Sequence, residues 1–505
     1  MPDAVLLHHL VDESARRHGS AAAITHGDTT LSHGDLAVES RRIASWLRDR
    51  GLRRGDRLLV RCGVNAHVPA LLYAASRLGA VFVVTHEQVT GRVLDHVLTD
   101  CDPAMVVTDQ PGDFRGRDIP VWPVGEVLAA SAQLPEADPP EPLVVDPCFL
   151  IYTSGSTALP KAVVATHQQA MFAARAIQAE LRYEPADRVL CPLPLSLDLG
   201  LYHVFLGSLS CAEVVLGTPV EAISGLLVVL DRTRATVLVA VPPIAEALIR
   251  LCRRARRGVD TLRMITNTGS ALSGATLVDL RALAPSASVR LMFGLTECKR
   301  VSICPPDEDL RRPGTVGRPL PGTEVLVIDE HGEPLPAGAM GELVVRGPHV
   351  TAGYWRRPEL TAERFRARDG LFPELHTGDY GWLDDDGFLY FAGRRDDLYK
   401  ERGFRVSGTE VEVAARYVPG VSEAVLVPPG RERLHAVLFA VTDLSGAEVL
   451  EGMRGRIEEY KIPGRCVVLG ELPLLGSGKV DRAALAESAA RAGGTPAREV
   501  VPHGS

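Results

Sequence analysis

Apolar positions along the chain switch between two periods. Leu36 to Leu47 repeats at helical spacing, Arg57 to Arg61 is a short apolar run of strand character, Ala66 to Leu78 is helical again, and Ala80 to Val84 is a second strand. Such alternation predicts an α/β sheet with helices packed against it. A stretch rich in Pro, Glu and Ala from Ala132 to Pro142 reads as a surface connection, followed by a strand over Pro147 to Tyr152. The alternation continues to about residue 300. From Thr315 to Arg346 it gives way to short strands divided by Pro-Gly and Gly turns, which suits a small antiparallel barrel or sheet. Mixed helix and strand resume near Asp396 and end near Arg482, and from Ser488 no period remains. The expected organisation is therefore α/β: an amino-terminal region over 1–395 with two α/β subdomains and a small β subdomain from about 315, a smaller α+β domain over 396–487, and a disordered tail over 488–505.

Composition narrows the function classes. The chain has 505 residues, 46% of them hydrophobic, enough for several buried cores. With 63 acidic residues against 55 Lys and Arg, the net charge of −8 leaves no positive excess for gripping a nucleic-acid backbone. Nine cysteines, an odd number without a CxxC pair, argue against a disulfide framework or a thiolate zinc site and predict buried, reduced thiols. The histidines show no HExxH spacing, so no structural metal is expected. Asp3 and Asp12 flank the first apolar run, unlike a secretory signal, and the most apolar stretch, Ile223 to Ile249, is broken by Asp231, Arg232, Arg234, Pro242 and Pro243, too soon for a membrane span. A cytoplasmic enzyme without nucleic-acid or membrane partners is expected. The cluster Arg250, Arg253, Arg254, Arg256 and Arg257 reads as a solvated helix face.

Only five of the 55 basic residues are lysine, at 161, 299, 400, 461 and 479. Lysine is a compact point charge and arginine a wide planar fork, so a site shaped for an ammonium group resists exchange. A lysine that also falls in a motif is a functional candidate; Lys461, in Tyr460-Lys461-Ile462-Pro463, reads as structural. The clearest motif is Ile151-Tyr152-Thr153-Ser154-Gly155-Ser156-Thr157-Ala158-Leu159-Pro160-Lys161, which follows an apolar strand and precedes a helical pattern from Gln168. Small residues let backbone N–H groups approach phosphate oxygens, hydroxyls add donors, and the lysine supplies charge.

This loop resembles the signature of the adenylate-forming superfamily, which contains acyl- and aryl-CoA ligases and stand-alone peptide-synthetase adenylation enzymes. Further motifs resemble that family in order: Asn267-Thr268-Gly269-Ser270-Ala271-Leu272 its adenine-contacting turn, Phe293-Gly294-Leu295-Thr296-Glu297 its aromatic-Gly-x-Thr-Glu box, and His376-Thr377-Gly378-Asp379 its TGD box. Gly393-Arg394-Arg395-Asp396 resembles its hinge, Lys400-Glu401-Arg402-Gly403-Phe404-Arg405 its KxRGxR, and Gly476 to Arg482 its terminal GKxDR motif. The likeness spans about residues 10 to 482. It implies that Thr153, Ser154, Gly155, Ser156, Thr157 and Lys161 handle the β- and γ-phosphates of ATP, and that Glu297, with Thr157, holds Mg2+. Gly269, Ser270, Ala271, Phe293, Gly294, Thr296 and Phe391 would surround the nucleotide, Phe293 stacking on adenine. Asp379, with Arg394 nearby, would bind the ribose hydroxyls. Lys479 would neutralise charge as a carboxylate attacks the α-phosphate. The carboxy-terminal domain would be mobile about Asp396, so that Lys479 serves adenylation and the face with Lys400 serves transfer to CoA or to the phosphopantetheine of a carrier protein. No carrier-like serine box follows Arg482, so a carrier would be a separate protein.

The chain departs from the family pattern at Ala158 and Ala162, where Gly is usual and where a methyl group disfavours φ > 0, and at Leu197, where relatives carry an aromatic or histidine gate. Leu197-Asp198-Leu199-Gly200-Leu201-Tyr202 resembles the stretch whose aspartate binds the ammonium group in amino-acid-activating members, with Asp198 and Tyr202 as substrate candidates. Asp198 in an apolar run needs a cation or donors; the alternative is a cap on a helix over Leu199 to Leu206. Lys299 and Arg300 follow the Glu297 box. Adjacent side chains in a strand face opposite ways, so one is expected to face the acid pocket, unless the two are a surface pair. The expected activity is ATP-dependent adenylation of a small carboxylic acid, an amino acid or amino-substituted aromatic acid of specialised metabolism. If Asp198 and one of the two cations both face the cavity, the substrate is polar at both poles, a dicarboxylic or hydroxylated amino acid or an amino-substituted aromatic acid. Three alternatives stand: a CoA ligase for an acid without an amine, a nitrite-using enzyme that diazotises an aryl amine, and a non-catalytic relative suggested by Ala158 and Ala162.

Overall fold

The interior strands are continuous apolar runs, as in parallel sheets covered on both faces: every residue of Val81–Thr85, Met105–Thr108 and Val237–Ala240 is buried. The computed structural model describes residues 4–136, 139–153, 159–269, 271–367, 371–394, 398–401, 404–429, 435–454, 456–457, 459–473 and 480–492. The chain forms two units. The first comprises Met1–Ala339, Leu343–Thr377 and Leu383–Tyr390; the second comprises Met340–Glu342, Gly378–Trp382 and Phe391–Ser505.

Two sheets dominate the first unit. One has six strands in the order Val121–Pro123, Met105–Thr108, Arg57–Arg61, Val81–Thr85, Pro147–Thr153 and Lys161–Thr166, parallel except for the last pair. The other has nine, in the order Arg318–Pro319, Ser302–Ile303, Ser288–Phe293, Met264–Asn267, Val237–Ala240, Arg188–Cys191, Glu213–Leu216, Ala22–His26 and Thr29–Ser32. Its six central strands are parallel. One apolar cluster, with Trp46, Tyr73, Phe82, Phe149 and Phe205, joins both sheets through the helices His33–Asp49, Val68–Arg77 and Asp198–Ser210. His33–Asp49 starts three residues before the apolar period because Ser32 and Asp35 form a capping box.

A five-stranded sheet carries Glu324–Ile328, Gly341–Arg346, Glu374–Leu383 and Phe365–Arg366 in that order, with Leu389–Arg394 also paired to Glu374–Leu383. The segment over Thr315 to Arg346 is thus divided: Arg318–Pro319 is an edge of the nine-stranded sheet, whereas the later strands belong here. In the second unit, Val421–Val427, Val437–Thr442 and Cys466–Leu469 form a sheet, and Leu398–Glu401 pairs with Phe404–Ser407. The last helix, Arg482–Ala492, passes the point at Ser488 where the pattern lapses. Alanine supports the extra turn, and Ala489 packs with Leu485 on Val425 and Phe439. The expected disorder from Ser488 is corrected to that extent. All nine cysteines are free and seven are buried. Among the described residues no helix is long and apolar enough to cross a membrane.

Candidate functional site

The site of the first unit gathers at carboxyl ends of parallel strands, where open α/β sheets bind ligands. Pro147–Thr153 and Lys161–Thr166 pair antiparallel with Thr153 opposite Lys161, so the hydroxyl loop joins two fixed strand ends. Ser154, Gly155, Ser156, Thr157 and Ala158 lie outside the described residues. Ala162 opposes Tyr152 in a regular strand, buried in an apolar cluster. Its φ is not positive, so the methyl group is accommodated and the departure from glycine carries no backbone strain at this position.

Strand Ser288–Phe293 delivers the next residues. Phe293 is buried at its end, and Gly294 opens a turn that folds back so tightly that a Cβ there would sit 2.6 Å from the Lys299 carbonyl oxygen. Glu297 is buried in that turn. Its Oε1 accepts a hydrogen bond of 2.6 Å from the Tyr354 hydroxyl and lies 3.7 Å from Lys161 Nζ, which itself stands 4.0 Å from the Tyr354 ring centroid. Burial and the neighbouring carboxylate push the Tyr354 phenol well above its ordinary pKa, so it remains a donor. A carboxylate beside a lysine is a donor set suited to Mg2+ and phosphate, and the residues present fit both. Thr296 is half-buried, while Gly269 and Ala271 are exposed after strand Met264–Asn267. Ser270 is outside the described residues.

Lys299 and Arg300 correct the expectation that only one of them faces inward. They do not form a strand: Lys299 adopts φ 57°, and both side chains are 2% exposed. Lys299 Nζ donates to Asp198 Oδ2 at 3.1 Å and sits 4.7 Å from the Tyr202 ring centroid. Arg300 Nη1 donates to Thr268 Oγ1 at 2.5 Å, and its Nε is buried with no hydrogen-bond partner among the described residues. Asp198 opens helix Asp198–Ser210 as its first residue, but no side-chain cap bond forms there and the N-cap is Leu197. The capping alternative therefore gives way to an ion pair. Tyr202 is buried against Phe149 and Phe205, with Lys299 over its face. Leu197 is exposed, at 44%.

Burial, opposed by Asp198 and reinforced by Arg300, brings the Lys299 pKa down to about 8; burial likewise lowers that of Arg300. His203, one turn along the helix, donates from Nδ1 to the Leu199 carbonyl at 2.6 Å, and burial lowers its pKa to about 3, so it is neutral. Two buried cations thus lie in the field of one half-buried carboxylate, which is bonded to Lys299. Tyr354 and His203 escaped the sequence reading because a lone aromatic and a helical histidine carry no spacing signal, and Thr268 entered it only as part of the expected adenine-contacting turn.

The second unit holds the remaining candidates. Arg394 Nε lies 3.4 Å from Asp379 Oδ1; Asp379 is buried and the arginine is exposed. Phe391 is half-buried on strand Leu389–Arg394. Lys400 is placed by its backbone opposite Arg405 in the hairpin. Asp396 and Lys479 lie outside the described residues. Two residues of the terminal motif are structural: Asp481 Oδ1 accepts from the Ala484 amide, and Arg482 Nη2 reaches Glu412 Oε1 at 2.8 Å while Nη1 donates to the Leu426 carbonyl.

This fold and these sites define an AMP-forming ligase that adenylates an acid with ATP and forms a thioester. Residues 11–355 match the AMP-binding enzyme family, and the chain belongs to it. Feruloyl-CoA synthase of Amycolatopsis sp is 31% identical over 480 residues, 92% of this chain and 95% of that one. VinN, solved in complex with L-aspartate, is 39% identical, with a TM-score of 0.71 covering 77% of this chain and 98% of that one. The O-succinylbenzoate CoA synthetase MenE of Bacillus subtilis, solved with ATP and magnesium, is 25% identical, with a TM-score of 0.82 covering 94% of this chain and 99% of that one.

Proposed function

We propose that the chain adenylates a small amino dicarboxylic acid of the aspartate type and passes the acyl group to the phosphopantetheine thiol of a separate carrier protein or to CoA. The observation that carries this reading is the pair of buried cations, Lys299 and Arg300, beside a single half-buried carboxylate, Asp198, which is bonded to Lys299 alone. An uncompensated buried charge costs several kcal/mol. A second substrate carboxylate on Arg300 would balance it, in the bidentate manner a guanidinium favours. With Lys299 on Asp198 Oδ2, a substrate ammonium group would take Oδ1. The relative solved with L-aspartate supports the same class.

In this reading Thr153 to Thr157 and Lys161 hold the ATP phosphates, with Phe293 and Phe391 on the base and Asp379 and Arg394 on the ribose. Glu297 and Thr157 would hold Mg2+, which when bound screens the phosphate charge. A substrate carboxylate oxygen bonds to the α-phosphorus as pyrophosphate leaves, with Lys479 balancing charge. The acceptor thiolate then bonds to the acyl carbon and AMP leaves, a step to which this reading assigns Lys400. A second reading, a CoA ligase for a diacid without an amine, is favoured by Lys299 already occupying Asp198 and by the feruloyl-CoA synthase likeness.

The test is ATP–pyrophosphate exchange over amino diacids, simple diacids, monocarboxylic amino acids, aryl acids and nitrite. Exchange with an amino diacid is expected, and Arg300→Met should raise its KM about 30-fold or more, the cost of truncating one side of a buried charge pair. Exchange with simple diacids alone would install the second reading. Exchange only with monocarboxylic acids, or only with nitrite, would remove both.

A further inference from the structure

We propose that Tyr354 is a positioning residue of the adenylation site, fixing the Glu297 carboxylate and the Lys161 ammonium group in one arrangement ready for magnesium-bound ATP. The inference rests on the reading in which Glu297 holds Mg2+ and Lys161 a phosphate. Tyr354 is 5% exposed and touches both residues: its hydroxyl donates to Glu297 Oε1 at 2.6 Å, and its ring lies under Lys161 Nζ at 4.0 Å. With Oε1 taken, Oε2 is the oxygen presented to a cation. The ring seats the ammonium group electrostatically.

The backbone explains why this tyrosine can act on both. Thr351 N–H donates to the carbonyl of Glu297 itself at 2.9 Å. Ala352 and Trp355 then donate to Val164 and Ala162, and Val164 donates to Gly353, so residues 351–355 run beside the strand that Lys161 begins. One short segment is therefore bonded to the main chain on both sides of the site, with the Tyr354 side chain between them. Its own amide donates to Thr361 Oγ1 at 3.0 Å, and its ring meets Phe365 edge-on. A carboxylate free to rotate would lose metal affinity, because groups that orient a metal ligand typically contribute 10–100-fold.

The test uses the full chain with Tyr354→Phe, which keeps the ring and removes the hydroxyl, Tyr354→Leu, which removes both, and Glu297→Gln as reference. Mn2+ binding in the presence of ATP is followed by electron paramagnetic resonance, alongside the Mg2+ dependence of pyrophosphate exchange and the melting temperature. Tyr354→Phe is expected to weaken Mn2+ about tenfold and to raise the Mg2+ needed for half-maximal exchange in step, with turnover at saturating Mg2+ and melting temperature near wild type. Tyr354→Leu should in addition raise the KM for ATP. If Glu297→Gln weakens Mn2+ and Tyr354→Phe does not, the inference is overturned and the reading of Glu297 stands. If Glu297→Gln leaves Mn2+ binding unchanged, that reading itself fails. A loss of turnover and melting temperature in Tyr354→Phe with wild-type Mn2+ affinity marks a merely structural tyrosine and also overturns the proposal.

Discussion

Buried imidazoles, His33 among them, make the fold sensitive to acid. Burial lowers the pKa of His167 and His349 to about 4 and that of His203 to about 3, and holds His8 well below its ordinary value. His167 Nδ1 also accepts from the Leu7 amide at 3.2 Å, and a proton there would end that bond. Each group titrates near 6.5 when unfolded. Below 6.5 the unfolded chain therefore binds more protons than the fold, so stability is complete above pH 6.5 and is lost as pH falls towards about 4. Each histidine adds a slope of about 1.4 kcal/mol per pH unit within that window. Urea denaturation at pH 7, 6 and 5 should show this fall, and His167→Gln should reduce the slope by about one proton whatever it does to stability at pH 7. An unchanged slope would show that His167 already carries its proton in the fold.

At the scale of elements, the clamp over residues 351–355 depends on Gly353, which has φ 106° and whose Cβ would lie 2.3 Å from Thr361 Cγ2. Gly353→Ala should cost about 2 kcal/mol through backbone strain and that clash. Adding Thr361→Ser removes Cγ2, keeps the Oγ1 that accepts from Tyr354, and should restore part of the loss in urea denaturation. No recovery would place the whole cost in the backbone. This clamp also shows where the sequence stops being informative. The Glu297 turn and the Asp379 strand fall where the sequence motifs place them, because particular residues at fixed spacing stand out in a sequence, whereas Ser154 to Ala158 of the hydroxyl loop lie outside the described residues. Lys299 and Arg300 were recognised as candidates, but their joint burial follows from a tight turn at Gly294 and a left-handed residue, neither of which periodicity reveals. Tyr354 belongs to a contact between segments 57 residues apart in the chain, and only tertiary structure brings it to Glu297.

On the scale of the whole molecule, the second unit has apolar cores of its own, one around Val406, Val411 and Leu438 and one around Phe439, Leu472 and Leu485. Glu412 Oε1 accepts from both the Leu426 amide and Arg482, joining helix Gly408–Arg416 to the sheet and to the last helix. The Asp481 amide donates to the Pro473 carbonyl at 2.7 Å, which brings together the two ends of the segment that contains Lys479. Lys400 belongs to the separate hairpin Leu398–Glu401 with Phe404–Ser407. Two half-reactions on one adenylate need different surroundings, closed for attack on the α-phosphate and then open to a thiol. Dividing the two lysines between different elements of one unit suits that requirement. Lys479→Ala should lower pyrophosphate exchange by about 100-fold or more, the usual effect of removing one preorganised charge partner. The same variant should still transfer the acyl group from a supplied acyl-adenylate to the thiol at near the wild-type rate. Lys400→Ala should show the opposite split. If Lys479→Ala leaves exchange unchanged, the charge on the α-phosphate is balanced elsewhere and the assignment of this lysine falls. Loss of both half-reactions in both variants would mean that the lysines maintain the unit rather than divide the chemistry, and the melting temperature would show it.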